Sequence, residues 1–363
     1  MGGSERQLYL LLSHMDLTCI EPIVIVFNPS LDLSYHDPIQ QAGVTVIAIP
    51  ENKKDFISRL FFVNKIIRKY KPEVIHSWSA HDNIYGFLLG KINHVPLTLG
   101  SFRDSLRNYG FRSLPRIVQR ILIHWNQYIV VNARSIKDEL VEEGYSEEKV
   151  FVLDNCVLVV EKNNEISREL LNITQRETSC VYVGSVCNLH RKKNVDVFIN
   201  GVANVVREYE NVMGLIVGQP IKDDLAYYKS LQDLIIKNEL ENKVFILGFR
   251  DDVPQFMYHL DIFCLLSEFE GTPNVVLEAM AAAKPVIASN TSGIPDIVKH
   301  EENGILVAPG DALEFEAALR KLLSDTRLAG QMGQNGLHRV QEHYNCHNIS
   351  SQLIRIYQSL LQQ

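Results

Sequence analysis

The sequence predicts an α/β protein made of two doubly wound units, each a parallel sheet covered by helices. Short β-branched runs alternate with longer amphipathic segments along most of the chain. Several of these runs are apolar throughout, which is typical of strands buried on both faces of a parallel sheet. A polar stretch divides the alternation into two series. The length of 363 residues also favours two domains, since single domains usually have about 100–200 residues.

Each series contains six candidate strands. In the first series they are Pro22–Phe27, Val44–Ile49, Glu73–Ser77, Pro96–Gly100, Tyr128–Val131 and Val150–Leu153. In the second series they are Cys180–Gly184, Gly214–Gly218, Val244–Gly248, Ile262–Leu266, Pro285–Ser289 and Ile305–Val307. Helices are expected between them, and the clearest is Phe56–Tyr70, whose apolar residues recur at helical spacing.

The two series define the expected domains. Residues 1–160 form the first domain and residues 179–345 the second, with Glu161–Thr178 as a polar linker. Residues 346–363 are predicted to form a helix that crosses back to the first domain. Ligands of doubly wound sheets bind at the carboxyl ends of the strands, so we expect the active site in a cleft between the domains.

Composition and charge exclude several classes of protein. A net charge of −7 argues against general nucleic-acid binding. The six cysteines include no CxxC pair, which argues against a structural zinc site or a disulfide framework and suits a reducing cytoplasm. No apolar run approaches the ~20 residues of a membrane-spanning helix, and the start of the chain does not resemble a signal peptide.

The most informative stretch is Leu266–Ser289. Thr272 is predicted to cap a helix whose first position is Pro273 and which continues to Ala283. The backbone N–H groups of Asn274 and Val275, with the helix dipole, predict an anion site suited to a phosphate. Two carboxylates flank this site, and the hydroxyl groups of a sugar and a ribose are suitable donors for them. These carboxylates are Glu270 and Glu278, and the alternative is that both are solvated surface residues around an ordinary helix cap.

The segment EGTPNVVLEAMAAAKPVIAS, with its Glu-x7-Glu spacing, resembles the signature of the retaining glycosyltransferases of family 4 (group 1). The flanking stretches Val244–Ser267 and Ser292–Asp311 resemble the same family, as does Met1–Leu8. The resemblance implies a GT-B fold, in which two Rossmann-like domains face a central cleft. It also implies that the first domain binds the acceptor and the second binds the nucleotide sugar.

The resemblance also implies roles for individual residues. Glu270 would contact the donor sugar near the reacting carbon, and Glu278 would bind the ribose. Phe249 and Arg250 would frame the base, while the backbone from Gly271 to Val275 would hold the sugar and the diphosphate. The donor-binding residues implied in this way are Gly2, Gly3, Arg191, Lys193, Phe249, Arg250, Gly271, Thr272, Asn274, Val275 and Glu278.

A basic turn within Val183–Val195 lies where the family binds phosphate. Lys193 matches the family pattern, but Ser185 stands where an arginine is expected, so Arg191 or Lys192 would supply the missing charge. The alternative is a solvated basic turn. At the start of the chain, the family has a strand before the glycine pair and this sequence does not. We therefore expect either a truncated start or a first sheet without its central strand.

Two further candidates follow strands of the first domain. Arg103 stands where many relatives have a histidine, and its guanidinium is suited to hold a phosphate or a sugar hydroxyl. His81 is the nearest imidazole in the sequence, with an ordinary structural role as its alternative. Residues Arg103–Trp125 carry five arginines among apolar residues, a pattern typical of contact with anionic lipid or, as we favour, of a helix with a solvated basic face.

The resulting hypothesis is a retaining glycosyltransferase that moves a sugar from a nucleotide diphosphate sugar to a glycan or lipid-linked acceptor, in synthesis of a cell-surface polysaccharide or glycoconjugate. Glu270, Arg103 and His81 are its candidate catalytic residues. No cofactor or metal is implied, because there is no Asp-x-Asp triplet and no His/Cys cluster with ligand spacing. The expected location is the cytoplasm, with peripheral contact at the inner face of the membrane as an option. The alternatives are a nucleotide-sugar epimerase of the same fold and a catalytically impaired partner subunit.

Overall fold

A computed structural model describes residues 3–28, 35–53, 55–106, 125–162 and 180–363. The chain divides into two compact units, each with its own core. The first unit contains Met1–Cys156 together with Tyr344–Gln363, and the second contains Val157–His343. Residues 163–178 of the expected linker and residues 107–124 of the basic segment lie outside the described residues.

All twelve predicted strands are present, with bounds close to those expected. Continuous β-branched runs specify buried parallel strands well, which explains the agreement. The strands of the first unit are β1 (Ile23–Val26), β2 (Thr45–Ala48), β3 (Val74–His76), β4 (Leu97–Phe102), β5 (Tyr128–Val131) and β6 (Val150–Val152). The strands of the second unit are β7 (Val181–Val186), β8 (Val212–Val217), β9 (Val244–Gly248), β10 (Ile262–Leu265), β11 (Val286–Ser289) and β12 (Gly304–Val307).

Helices connect these strands in both units. In the first unit they are α1 (Gly3–Ser13), α2 (His36–Gln41), α3 (Phe56–Tyr70), α4 (Asn83–Ile92) and α5 (Arg134–Glu142). In the second unit they are α6 (Val195–Val205), α7 (Leu225–Lys237), α8 (Val253–Phe256), α9 (Asn274–Ala281), α10 (Ile294–Ile297), α11 (Ala312–Ser324) and α12 (Thr326–His343). The last helix, α13 (Cys346–Leu361), returns to the first unit.

The first unit contains two parallel sheets, β1–β2 and β3–β4–β5–β6. The core on one side joins α1, through Leu10, Leu11 and Leu12, to α13, through Leu353 and Tyr357. A second core on the other side brings α3 and α4 together with residues of β1 and β3, among them Ile25 and Ile75. The residues of β1 and β3 are only half-buried, whereas all six residues of β4 are buried. β1 belongs to a sheet of two strands and β3 is an edge strand of its sheet, so each pairs with one neighbouring strand among the described residues.

The second unit has one parallel sheet with the order β12–β11–β10–β7–β8–β9. From β7 the chain builds β8 and β9 on one side, and then crosses over to build β10, β11 and β12 on the other. The connections that follow β7 and β10 therefore leave the sheet in opposite directions. This switch point is where open α/β sheets bind their ligands, beyond the carboxyl ends of the strands.

One glycine beside this switch point is required by its surroundings. Gly218 follows β8 with φ of +150°, and a Cβ atom built there would lie 1.8 Å from the carbonyl oxygen of Cys187. Only glycine allows the backbone after β8 to approach the end of β7 this closely. The close approach holds the two strand ends together.

Candidate functional site

The centre of the site is an ion pair across the switch point of the second sheet. Lys193 closes the short turn Arg191–Lys193 that follows β7, and Glu270 lies in the connection that follows β10. The Lys193 ammonium donates a short hydrogen bond to Oε1 of Glu270. The hydroxyl of Ser267, which is fully buried, donates to the same oxygen at 2.7 Å. One carboxylate oxygen thus accepts from two donors, so its position is closely fixed.

The two connections are also tied together through their backbones. The N–H of Glu268 donates to the carbonyl of Lys192 at 2.8 Å, and the side-chain amide of Asn194 donates to the carbonyl of Leu266 at 2.9 Å. Asn194 has φ of 49° and ψ of 42°, a left-handed conformation that asparagine tolerates better than most residues. These bonds fix the distance between Lys193 and Glu270 independently of their charges.

Burial sets the charge of the neighbouring titratable groups. It lowers the pKa of His190, and the positive charge of Lys193 lowers it further, so the imidazole is neutral at neutral pH. Burial also raises the pKa of the Cys187 thiol to about 12, which keeps the sulfur protonated. Neither group therefore adds a charge beside Lys193.

The helix that follows Glu270 begins one residue later than predicted. Pro273, with φ of −72° and ψ of 114°, is the residue before the helix, and Asn274 is the first residue within it. The prediction that Thr272 caps this helix is therefore wrong. Proline forces the residue before it into an extended conformation and here has an extended ψ itself, so the helix begins after it. Thr272 is buried, and no side-chain hydrogen bond caps α9.

Both carboxylates of the Glu-x7-Glu pair are sheltered from solvent. The Glu278 side chain lies in the second turn of α9 and is 3% exposed. That of Glu270 is 16% exposed. The alternative of two solvated surface residues is wrong. The start of α9, where the first backbone N–H groups have no partners within the helix, lies between them in the chain.

The three basic residues of the turn after β7 have different surroundings. The Arg191 side chain is 71% exposed and faces Asp224, with 3.6 Å between Nε and Oδ1. Lys192 is exposed and contributes its backbone carbonyl to the contact with Glu268. Lys193, which the sequence had singled out by its match to the family pattern, is the member of the three whose charge is directed at Glu270.

Phe249 and Arg250 follow β9, as expected, but only one of them presents its side chain to solvent. Phe249 is 51% exposed. Arg250 instead forms a two-bond pair with Asp252, with Nε and Nη2 each 2.8 Å from a carboxylate oxygen, and this pair lowers the pKa of Asp252. Its guanidinium also lies 5.1 Å from the centre of the Phe256 ring. The Arg250 side chain is therefore already bound within its own loop.

In the first unit, the start of α1 meets the residues that follow β3 and β4. Gly3 is the first residue of α1, while Gly2 lies outside the described residues. The indole N–H of Trp78 donates to the carbonyl of Ser4 at 2.8 Å. The Arg103 guanidinium lies 3.6 Å from the centre of the Trp78 ring and donates to Oδ1 of Asn155 at 3.2 Å. Arg103 is thus held by an aromatic face and an amide.

In the first unit, His76 has a side-chain partner for each of its ring nitrogens. Its Nδ1 lies 2.6 Å from the Tyr357 hydroxyl and its Nε2 lies 2.8 Å from the Ser101 hydroxyl. Burial lowers the pKa of His76 to about 3, so the ring is neutral. His81, the candidate chosen from the sequence, lies exposed in the turn before α4. The position of His76 at the end of an apolar strand was the signal in the sequence for a buried histidine.

Among the described residues, no three His, Cys, Asp or Glu side chains come together as a metal site. No helix within them combines the length and the hydropathy needed to cross a membrane.

Two family models match the chain. The model described as "Glycosyltransferase Family 4" matches residues 1–159, and the model described as "Glycosyl transferases group 1" matches residues 167–339. The second match contains the whole of the Lys193–Glu270 site. Together the two matches account for both units of the structure.

Several curated proteins are similar in sequence. The chain is 28% identical over 224 residues to an N-acetyl-alpha-D-glucosaminyl L-malate synthase of Bacillus anthracis, an alignment that covers 61% of this chain and 56% of that protein. It is 23% identical over 310 residues to the capsular polysaccharide biosynthesis glycosyltransferase CapM of Staphylococcus aureus, covering 82% and 80%. It is 23% identical over 317 residues to a UDP-Gal:alpha-D-GlcNAc-diphosphoundecaprenol alpha-1,3-galactosyltransferase of Escherichia coli, covering 82% and 77%.

Solved structures share the fold. The Anabaena protein Alr3699/HepE in complex with UDP has a TM-score of 0.84 at 21% identity, over 99% of this chain and 96% of that chain. A glycosyltransferase from Rickettsia africae has a TM-score of 0.83 at 19% identity, over 99% and 95%. The predicted GT-B architecture is therefore confirmed.

Proposed function

Because the chain belongs to the group 1 glycosyltransferases, we propose that it transfers a sugar from a nucleotide diphosphate sugar to a hydroxyl of a glycan or lipid-linked acceptor, with retention of the anomeric configuration. We place this activity in the cytoplasm, in the synthesis of a polysaccharide or glycoconjugate. The observation that carries the proposal is the ion pair of Lys193 and Glu270 at the switch point of the second sheet.

The chemistry of transfer explains why a cation and a carboxylate are needed together. Breaking the bond between the sugar and the diphosphate builds positive charge on the ring and negative charge on the leaving group. Glu270 would position the sugar beside its reacting carbon, and Lys193 would stabilise the departing diphosphate. Without the donor the two groups neutralise each other, so neither charge is left uncompensated in a half-buried site.

The start of α9 would hold the diphosphate and the sugar through the backbone from Gly271 to Val275, because a helix N-terminus favours anions. Buried Glu278 would accept hydrogen bonds from the ribose hydroxyls. Exposed Phe249 would stack on the base, and Arg250, which Asp252 holds, would support it from the side. Arg191 would add a more distant positive charge.

Residues of the first unit would bind the acceptor. Arg103, fixed by Trp78 and Asn155, would hold a phosphate or a hydroxyl, and exposed His81 would contact the acceptor from the turn before α4. Because Gly2 and Gly3 have no side chains, their backbone would allow a diphosphate or an acceptor to come close. No metal or cofactor is part of this proposal.

Uridine diphosphate sugars are the first donors to test. The HepE structures contain UDP or UDP-glucose, and the name of the Escherichia coli relative includes UDP-galactose. That relative also acts on a sugar linked to diphosphoundecaprenol, which supports a lipid-linked acceptor as a candidate here.

Transfer from UDP-glucose, UDP-galactose and UDP-N-acetylglucosamine should be measured for Glu270→Ala against Glu268→Ala. Glu268 lies two residues away, and its side chain is exposed. We expect the first variant to lose transfer and the second to keep it. Equal activity of the two variants would refute the role of Glu270, and a product with inverted anomeric configuration, read from proton coupling constants, would refute retention.

The same materials separate the two alternatives. An epimerase would convert the UDP-sugar to its epimer with no acceptor present. A catalytically impaired partner subunit of another glycosyltransferase would release no UDP from any of the three donors, and an absence of UDP binding in calorimetry of the isolated chain would favour it.

A further inference from the structure

An aromatic and charged surface lies in the first unit next to His81, and it is formed by residues that have no role assigned so far. It consists of Phe27, Phe56, Arg59, Asp82 and Tyr85, which we call the Arg59 surface. Phe27 directly follows β1, Phe56 and Arg59 lie in the first turn of α3, and Asp82 and Tyr85 lie at the start of α4. All five thus belong to the edge where the strands of the first unit end.

Three aromatic rings form the apolar part of the Arg59 surface. Tyr85 is in the middle, with its ring centre 4.9 Å from that of Phe27 and 4.8 Å from that of Phe56. Phe27 and Tyr85 are half-buried, whereas Phe56 is 42% exposed. The cluster therefore presents an aromatic face to solvent through Phe56, while the other two rings stay half-buried.

Arg59 fixes the polar part of this surface. Its Nη2 donates to Oδ1 of Asn28 at 2.9 Å, its Nε donates to the carbonyl of Lys53 at 3.2 Å, and its guanidinium lies 5.8 Å from the centre of the Phe27 ring. These contacts join the end of β1 to the start of α3. The guanidinium is held in place at the border of the aromatic cluster.

Asp82 supplies the opposite charge. Its Oδ2 accepts from the Ser79 hydroxyl at 2.6 Å. Burial raises the pKa of Asp82. The charges of His81 and Arg59 lower this pKa, and the charge of Glu5 raises it further. Burial likewise raises the pKa of the Tyr85 hydroxyl, against the charge of Arg59. The backbone N–H of Tyr85 donates to the carbonyl of Asp82 at 3.0 Å, so the acidic residue and the central ring of the cluster lie in the same turn at the start of α4.

We propose that the Arg59 surface binds a pyranose ring of the acceptor, so that the acceptor is recognised as a carbohydrate. The inference rests on the proposed function and gives it an acceptor subsite. The C–H face of a pyranose packs against aromatic rings, and its hydroxyls both donate and accept hydrogen bonds. Arg59 and Tyr85 supply donors and Asp82 supplies an acceptor, within a site of the aromatic and sparsely polar kind that binds small ligands.

Charge favours a sugar over the other acceptor chemistries. A polyprenyl chain placed here would desolvate Arg59 and Asp82 without giving either a hydrogen bond, which is costly. A phosphate would gain from Arg59 but would meet Asp82, with Glu5 close enough to act on that carboxylate. The hydroxyls of a neutral sugar ring can accept a hydrogen bond from Arg59 and donate one to Asp82.

Saturation-transfer NMR with methyl α-D-glucopyranoside, methyl α-D-galactopyranoside and methyl α-D-mannopyranoside, in the presence of UDP, tests the inference. The variants are Arg59→Ala and Phe56→Ala. Arg68→Ala is the matched control, because Arg68 is an exposed arginine in the last turn of the same helix α3, at the opposite edge of the sheet. Farnesyl phosphate serves as the lipid probe.

We expect at least one glycoside to bind the unaltered chain and the Arg68→Ala variant equally. Its affinity should fall about tenfold or more in Arg59→Ala, as expected for a lost hydrogen bond to a charged group, and should also fall in Phe56→Ala. Calorimetry with UDP should give unchanged affinity in all three variants. That second measurement reports on the donor site, so a failure of the proposed function is seen separately.

Three results would overturn the inference. One is that the chain binds UDP but none of the three glycosides. Another is that glycoside binding survives in Arg59→Ala and Phe56→Ala as it does in Arg68→Ala. The third is that farnesyl phosphate binds, the glycosides do not, and the two variants abolish that binding, which would assign the surface to lipid.

Discussion

His76 and Tyr357 are 281 residues apart in the chain, yet Nδ1 of the first lies 2.6 Å from the hydroxyl of the second. The contact joins the end of β3 to the last helix, α13. Since Nε2 of the same ring lies 2.8 Å from the Ser101 hydroxyl, both nitrogens of this half-buried imidazole have a partner. The first unit is thus fastened to the end of the chain by a polar contact as well as by its core.

Acid should destabilise the first unit through His76. Its pKa is about 3 in the folded chain and near 6.5 in an unfolded one, so the unfolded state binds more protons between these values. The stability contributed by the neutral ring is therefore complete above about pH 6.5 and is lost as the pH falls towards 3. Urea unfolding at pH 7.5, 6 and 5 should show this loss, and a smaller one in His76→Gln. An identical pH dependence in the two proteins would contradict the assignment.

The variant Tyr357→Phe should lower the free energy of unfolding by about 1–3 kcal/mol, because it leaves one nitrogen of the half-buried His76 without its partner. Tyr128→Phe is the matched control. Its hydroxyl donates at 3.2 Å to Gln363 in an exposed position, so the change should stay within about 0.5 kcal/mol. Urea titration followed by circular dichroism measures both, and equal effects would count against the contact with His76.

Removing the partner of Lys193 should separate binding from turnover. In Glu270→Gln the ammonium no longer has a carboxylate to neutralise it, so UDP should bind at least as tightly as in the unaltered chain. Sugar transfer should fall at the same time, because the donor sugar loses its carboxylate. Calorimetry with UDP checks the first expectation. A marked weakening of UDP binding would show that Glu270 does not compete with the diphosphate.

Lys193→Ala should weaken UDP binding about 10- to 100-fold, the cost of one charge-assisted contact to a phosphate in a sheltered site. Lys192→Ala removes the same charge from the neighbouring exposed position and should change the affinity less than about threefold, since exposed charges are screened. The two affinities are compared at one salt concentration. Equal losses would indicate a general electrostatic effect and not a specific contact.

Two glycine-to-alanine changes should have opposite effects on stability. Gly218→Ala would place a Cβ atom 1.8 Å from the carbonyl oxygen of Cys187, so the strand ends must separate and the melting temperature should fall. Gly330 lies exposed within α12 with open space around it. Gly330→Ala should therefore add about 0.5–1 kcal/mol, the difference in helix propensity. Thermal unfolding gives the melting temperatures of both variants. An unchanged melting temperature in Gly218→Ala would show that the close approach of Gly218 to Cys187 is not needed.

The sequence predicted the strands well because their side chains are apolar on both faces, a pattern that leaves little choice of structure. The ends of helices depend on single residues, so the prediction for Thr272 was wrong when Pro273 adopted an extended ψ. The role of His76 depends on which side chains the fold brings to it. His76 and His81 look alike in the sequence, and the partners of His76 in the structure distinguish them. Lys193 could be distinguished from Arg191 and Lys192 in the sequence because it matched a family pattern.

The placement of α13 has a consequence for the order of events on the ribosome. Residues Tyr344–Gln363 belong to the first unit, although the whole second unit is synthesised before them. Leu10, Leu11 and Leu12 of α1 share a core with α13, so this core cannot be completed before α13 has been synthesised. Apolar surface that is exposed in a nascent chain promotes aggregation.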